Sequence, residues 1–451
     1  MIPMALPKGS ENTSCKYVRC ANDTRHTLSV AAPLQYARGM ASIRDTQPPI
    51  VPVQTPTRAA MALPVYIPTF LLSFGQGLLI PTLPYFAKGF GVAESLIGFA
   101  VAAAAIGTLI ADVPVGIVLG QLGRRRAMLI GITLVAVSTF LVALLHNYPV
   151  LVVCRLVEGV GTALWGISRH AYITDVAPRA QRGKFIATFG GVNRLGIFAG
   201  PFIGGVLGDR FGLTLSFYIA AALTAVAGVL AVTFIRETGV RGVAVPNSDL
   251  RWRSVARLFR THRVDLSSAG AAQVFVQMIR SGRQLIIPLY AADILHLGVG
   301  QAGAIITIAA TVDMALFIPA GWVMDRFGRK WASVPSFAMM GLGMALIPLA
   351  GSFGGLLFAA SVIGFGNGLG SGSMMTLGAD LAPPDAVGEF LGLWRFVGDA
   401  GTASGPLVVG IFAGTLGLFT TAFCLAGTGF VAAGILWWLV RETLTPEPAK
   451  N

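Results

Sequence analysis

Ionisable side chains fall inside stretches of this chain that are otherwise apolar, among them Asp112, Arg155, Glu158, Arg194, Arg280, Arg283, Asp313, Arg395 and Asp399. An ionised group near the centre of a bilayer costs about 2.5–3.5 kcal/mol even on the mildest scale, so each demands a partner, a proton or a ligand. Carboxyls in such places exchange protons, because desolvation favours the neutral acid while a mobile cation favours the carboxylate. Guanidinium groups in such places bind carboxylate or phosphate. Asp313 has no opposite charge on its own helix. With Glu158 it is the leading candidate for proton coupling, and Arg155, Asp112 and Asp399 are further candidates. Gln76, Asn193, Arg194, Arg280, Arg283 and Arg395 are the candidates for lining a substrate cavity. Arg155 and Glu158 stand three residues apart on one helix and can instead neutralise each other as a structural bridge.

The elements that carry these residues must be membrane-spanning helices. Hydrophobic residues make up 54% of the chain and charged residues 12%, against roughly 45–50% and about 25% in soluble domains. Twelve charge-poor windows of about 20 residues mark spans near 62–86, 95–119, 127–146, 148–173, 185–207, 214–235, 267–291, 300–324, 331–351, 354–379, 389–413 and 418–440. At 1.5 Å per residue, Glu158, Arg194, Arg280, Arg283, Asp313 and Asp399 sit near the midplane. Asp112 and Arg395 sit nearer one end. Spans three, six, nine and twelve carry no charge by this reading, as expected of helices facing lipid around a polar cavity.

The chain also repeats itself at a spacing of 205 residues. Pro114-Val-Gly116-Ile-Val-Leu-Gly120-Gln-Leu-Gly123-Arg124-Arg125 returns as Pro319-Ala-Gly321-Trp-Val-Met-Asp325-Arg326-Phe-Gly328-Arg329-Lys330. Asp175 pairs with Asp380, Gly159 with Gly364, Gly200-Pro201 with Gly405-Pro406, and Tyr85 with Tyr290. A long apolar repeat is the signature of a carrier built from two bundles that rock about a site between them. The repeat predicts six-helix bundles at 62–235 and 267–440, a basic central loop at 236–266, and tails at 1–61 and 441–451. The cavity positions have diverged, since Arg194 is matched by Asp399 and Asp313 by Thr108.

The net charge of +13 is topological. Arg124 to Arg126, Arg182, Lys184, Arg326, Arg329, Lys330 and the arginines between spans six and seven fall on one side, and the opposite loops carry Lys88 and Arg210. Positive-inside bias places both termini in the cytoplasm of a cell whose plasma (inner) membrane holds the protein. No nucleic-acid partner is expected. Residues 1–61 read as a polar, disordered tail, with a targeting leader or an overcalled start at Met40 or Met61 as alternatives. The four cysteines form no disulfide framework.

From about residue 62 to 440 the chain resembles the major facilitator superfamily, and within it the twelve-helix drug/proton antiporter group. Gly321-Trp-Val-Met-Asp325-Arg326-Phe-Gly328-Arg329-Lys330 is similar to that family's cytoplasmic gating loop, and the copy at Gly116, Gly123, Arg124 and Arg125 departs from it at Gly120 and Gln121. Arg155-Leu-Val-Glu158-Gly159-Val-Gly161 resembles its span-four coupling motif. Gly196-Ile-Phe-Ala-Gly200-Pro201-Phe-Ile-Gly204-Gly205 resembles its antiporter-type span-five motif, for which plain helix packing is the competing reading.

The resemblance implies an all-α polytopic fold of two pseudo-repeated bundles and a secondary active transporter working by alternating access. The expected substrate is a small amphipathic compound, a drug or metabolite, exported by a monomer in exchange for protons. Import of a small polar or anionic nutrient with protons is one alternative, and a transporter-like sensor or assembly factor that moves nothing is another. No enzyme, cofactor or metal is expected: there is no phosphate-binding G-x-x-x-x-G-K-[ST] loop, and the histidines are scattered.

Overall fold

The computed structural model describes residues 61–178, 181–238, 257, 260, 263–382 and 387–444. The polar tail, most of the basic central loop and the last seven residues lie outside the described residues. The first half has α1 (Ile67–Lys88), entered through a π turn at Ala62–Tyr66, then α2 (Glu94–Leu122), α3 (Arg124–Leu144), α4 (Tyr148–Val176), α5 (Arg182–Phe211) and α6 (Leu213–Phe234). The second has α7 (Arg263–Asp293), α8 (Val299–Ala315), α9 (Phe317–Phe327), α10 (Arg329–Leu346), α11 (Phe353–Leu369), α12 (Ser373–Asp380) and α13 (Val387–Trp438).

These helices make the twelve expected crossings. Among the described residues ten helical runs are long and apolar enough to span a membrane. One of them is α13, two crossings joined at Gly417, whose φ of 79° a side chain would strain. The twelfth crossing is α7, whose apolar character is diluted by Gln273, Gln277, Arg280, Arg283 and Gln284. Span eight is interrupted at Leu316, between α8 and α9, and span ten at Gly370–Gly372, between α11 and α12. Backbone that leaves the helix at membrane depth is tolerated only where it lines protein or a cavity, and both breaks fall beside the polar centre.

Within the first half α1 packs on α5 and α6, and α4 on α2 and α3; within the second α13 packs on α7 and α10, and α11 on α8 and α10. The halves meet chiefly through α2 with α13 and α5 with α8. Large apolar side chains such as Phe140, Val229, Phe358 and Trp438 stay exposed on the outer surface, where lipid replaces water.

The contacts between halves are concentrated at one end. A Cβ at Gly98 of α2 would lie 2.5 Å from the Pro406 carbonyl oxygen and 2.6 Å from Gly410 Cα, both on α13. At Gly303 of α8 it would meet the Pro201 carbonyl of α5 and come within 3.2 Å of Gly205 Cα. Gly98, Pro201 and Gly205 are offset by 205 from Gly303, Pro406 and Gly410, so the two contacts are copies of each other. Lys88 pairs with Asp293, the Gly300 N–H donates to Asp209 Oδ2 at 2.8 Å, and the Tyr85 hydroxyl donates to the Leu297 carbonyl at 3.0 Å. Toward the other end of the same four helical crossings, added Cβ atoms at Gly116, Gly190, Gly191, Gly321, Gly388 and Gly392 would meet nothing within 4 Å. The molecule is therefore sealed at the end with few basic residues and parted at the basic end.

Candidate functional site

A cavity of about 380 Å³ lies between the halves. The second half supplies most of its wall, and α5 contributes Arg194, Ile197 and Phe198. Three arginines, Arg194, Arg280 and Arg283, face it with one carboxylate, Asp313.

The arginines differ in how fully they are engaged. Arg280 donates from Nε to Asn367 Oδ1 at 2.8 Å, from Nη1 to Gln277 Oε1 at 3.2 Å, and from Nη2 to the Gly370 carbonyl at 3.2 Å. The last acceptor is available because span ten unwinds there. Arg280 is thus satisfied by neutral groups. Arg283 has a looser contact, Nη2 to Asp313 Oδ2 at 3.8 Å. The Arg194 guanidinium lies over the Phe317 ring, 4.6 Å from its centre. Asp313 Oδ2 also accepts from Asn367 Nδ2 at 2.5 Å, while Oδ1 is buried without a hydrogen-bond partner. A ligand with an acidic group can occupy Arg283 and Arg194 without dismantling Arg280, and would take Arg283 away from Asp313.

The other sequence candidates are placed elsewhere. Arg155 and Glu158 form a 2.7 Å ion pair within α4, Glu158 being 4% exposed, and neither lines the cavity. Asn193 accepts from Ser73 Oγ at 2.6 Å, tying α5 to α1 inside one half. Gln76 does not line the cavity either. Asp112, Arg395 and Asp399 form a second cluster. Arg395 Nη2 is 3.8 Å from Asp112 Oδ1 and its Nε donates to Asp399 Oδ2 at 3.4 Å, so Arg395 links the halves.

The glycine motif of α5 has two jobs. Gly196, Gly200 and Gly204 press α5 onto α1, where a Cβ at Gly200 would lie 2.5 Å from Gly77 Cα, and Gly205 with Pro201 forms the seal against α8.

At the basic end the gating loops belong to two matching clusters. The Arg329 N–H donates to Glu442 Oε1 at 2.8 Å, Lys330 N–H to Glu442 Oε2 at 2.9 Å, and Arg329 Nε to Asp380 Oδ2 at 2.9 Å. In the first half the Arg124 N–H donates to Glu237 Oε1 at 2.8 Å and Arg124 Nε to Asp175 Oδ2 at 3.1 Å. Arg125 and Lys330 cap equivalent carbonyls, Val232 and Trp437. Gly123 and Gly328, at φ of 81° and 112°, bring the chain against Glu237 and Glu442. The departure at Gly120 and Gln121 therefore leaves the first cluster intact. Asp325 is 82% exposed and lies 3.7 Å from Arg329, and Arg326 stacks over Trp322.

Burial pushes the Glu442 carboxyl up, but the backbone N–H donors of Lys330, Leu444, Arg329 and Thr443 outweigh it and hold the group below the ordinary glutamate range.

Sequence reasoning missed Asn367, which joins Arg280 to Asp313, and Arg169, a buried cation on α4 set against Phe189 at 4.0 Å and Trp165 at 5.4 Å. A search for amides as well as charges inside apolar spans finds Asn367, Gln277 and Gln284. Glu237 and Glu442 carry the 205 offset and were legible by it.

Two segments, residues 65–279 and 269–451, match the Major Facilitator Superfamily. The chain belongs to that family and is a multi-pass membrane transporter rather than an enzyme. It is 24% identical over 382 residues to an uncharacterised transporter of the same type from Methanocaldococcus jannaschii, covering 84% of this chain and 97% of that protein. It is 32% identical over 173 residues to the quinolone resistance protein NorA of Staphylococcus aureus, a match covering 38% of this chain and 44% of NorA. Among solved structures, the nucleoside transporter NupG superposes with a TM-score of 0.69 at 16% identity, covering 85% of this chain and all of that one. The human organic anion transporter MFSD10 superposes with a TM-score of 0.64 at 17% identity, covering 84% and 100%. Both share the fold.

Proposed function

We propose that this transporter moves small amphipathic organic anions together with protons by alternating access. The observation that carries the reading is the cavity between the halves, with three arginines to one carboxylate. The loose 3.8 Å contact of Arg283 with Asp313 supplies the coupling. A substrate carboxylate that takes Arg283 removes the cation beside Asp313, and in this proposal a proton is the positive charge that takes its place. Anion and proton then bind to the same state. The excess of basic residues in the loops at the parted end supports placing that end in the cytoplasm, with both termini there, in a plasma membrane. A monomer suffices, since one chain holds both halves of the site.

A second reading, export of amphipathic compounds in exchange for protons, is favoured by the likeness to NorA over 173 residues and by the glycine motif of α5. Export of this kind suits a cationic substrate, which competes with a proton for Asp313.

Proteoliposomes loaded with a pH-sensitive dye and offered cationic, neutral and anionic amphipathic compounds separate the two. Inward proton movement accompanying an anion, absent in Asp313→Asn, is the expected result. Proton movement opposite to a cation would replace the first reading with the second.

A further inference from the structure

A second space of about 380 Å³ lies on the outer surface of the first half, between α3 and α6. The first helix lines it from Leu129 to Ala136 and the second from Ala225 to Thr233, about 10–12 Å of helix in each case. Val229 and Val232 on its wall are 63% and 50% exposed, so the groove opens to lipid. None of its residues lines the cavity between the halves.

The 205-residue repeat reveals what is missing from the groove. Ala225 stands where the second half has Phe430, Val232 where it has Trp437, and Thr233 where it has Trp438. In that half the Phe430 ring reaches within 3.3 Å of where a Cβ on Gly341 would stand, and the Trp438 ring within 3.0 Å of the same point on Gly434. Trp437 packs edge-on against Trp331, with ring centres 6.3 Å apart. Three aromatic side chains therefore cover in the second half the surface that is open in the first. The residue matching Trp331 is Arg126, so the half that loses aromatic bulk gains a cation at the mouth of the groove. Arg125 and Arg126 stand one turn before Leu129, on the face of α3 that lines it. Arg125 donates from Nη2 to the carbonyl of Val232 at 2.8 Å, and its Nε is buried without a hydrogen-bond partner. Arg126 is exposed. Arg124 pairs with Asp175, but among the described residues neither Arg125 nor Arg126 pairs with an acid.

We propose that the groove binds one anionic glycerophospholipid from the leaflet at the basic end, with an acyl chain between α3 and α6 and the phosphate on Arg125 and Arg126. The chain fills the space that Phe430, Trp437 and Trp438 fill in the other half. The headgroup supplies the negative charge that the two arginines lack, through charge-assisted hydrogen bonds to phosphate. A headgroup with net negative charge is favoured over a zwitterionic one, because basic residues beside a span draw anionic lipid. Both walls belong to one half, so rocking of the halves leaves the groove intact and the lipid in place. The site rests on neither reading of the cavity.

The test is native mass spectrometry of the full chain in detergent supplied with equal amounts of phosphatidylglycerol and phosphatidylcholine carrying the same acyl chains. The wild type is expected to retain one phosphatidylglycerol in preference to phosphatidylcholine. Arg126→Gln should lower that preference about fivefold, and Arg441→Gln, at the basic end of the second half, should leave it unchanged. Ala225→Phe, which restores the ring of the other repeat, should abolish retention. If that variant fails to fold, Val232→Trp decides, since it adds its ring at a half-exposed position. Equal retention of the two lipids by the wild type overturns the proposal, as does a preference that Arg126→Gln leaves intact. Lipid still held by the filled groove, or a second copy of the chain retained in place of lipid, overturns it equally.

Discussion

Similar residues at the cavity do different work because their partners differ. Arg280 is surrounded by three neutral acceptors, so replacing it leaves Asn367, Gln277 and the Gly370 carbonyl short of a donor, a cost paid in stability. Arg283 and Arg194 have donors to spare for a ligand. We expect Arg283→Gln to weaken anion binding by about 1.5–3 kcal/mol, roughly ten- to hundredfold in affinity, with little change in thermal stability. Arg280→Gln is expected to show the reverse pattern. Parallel unfolding and uptake measurements on the two variants check this, and equal loss of affinity in both would erase the distinction. The presence of charges in the spans was legible in the sequence, since each carries a cost that needs an explanation. Their pairing was not, because Asn367, 87 residues beyond Arg280 and 54 beyond Asp313, becomes their partner only when spans seven, eight and ten converge.

At the level of elements, the start of α10 depends on a group from beyond the end of α13. Glu442 accepts the Arg329 and Lys330 N–H groups at 2.8 and 2.9 Å, the work of a helix cap supplied from 113 and 112 residues away. Removing a cap costs about 0.5–2 kcal/mol, and this exposed one belongs at the lower end. Since Glu442 is held below its ordinary range in the folded state, its contribution is complete above the unfolded value of about 4.3 and is lost as pH falls through the lowered one. Glu442→Gln should therefore melt below the wild type at neutral pH, with the gap closing in acid. A gap in melting temperature that stays constant with pH would mean the charge contributes nothing. The first gating loop shows what pattern reading overlooks: it departs from the family pattern at Gly120, yet Arg124 finds Asp175 with its side chain and Glu237 with its N–H, because the partner acids come from the end of α4 and from beyond the end of α6.

For the whole molecule the 205-residue repeat is a statement about motion as well as ancestry. The seal consists of Gly98 against Pro406 and Gly410, and of Gly303 against Pro201 and Gly205, so the two halves close one end through two equivalent contacts. Parting of the halves at that end would break both contacts, whereas the Gly200–Gly77 approach lies inside one half and is not broken by such a motion. Overpacking costs about 1–3 kcal/mol. Charged to the sealed state alone, it shifts the equilibrium between states roughly 5- to 150-fold toward opening at the Lys88 end. Charged to Gly200, it lowers stability without favouring either state. We expect Gly98→Leu and Gly303→Leu each to expose a single cysteine placed at Gln284, in a chain otherwise free of cysteine, to an impermeant maleimide added from the Lys88 side. Gly200→Leu should lower the melting temperature and leave that labelling rate unchanged. Should only one of the seal variants open the cavity, the two contacts would be alike in structure but unequal in energy, and the rocking would hinge on one helix pair.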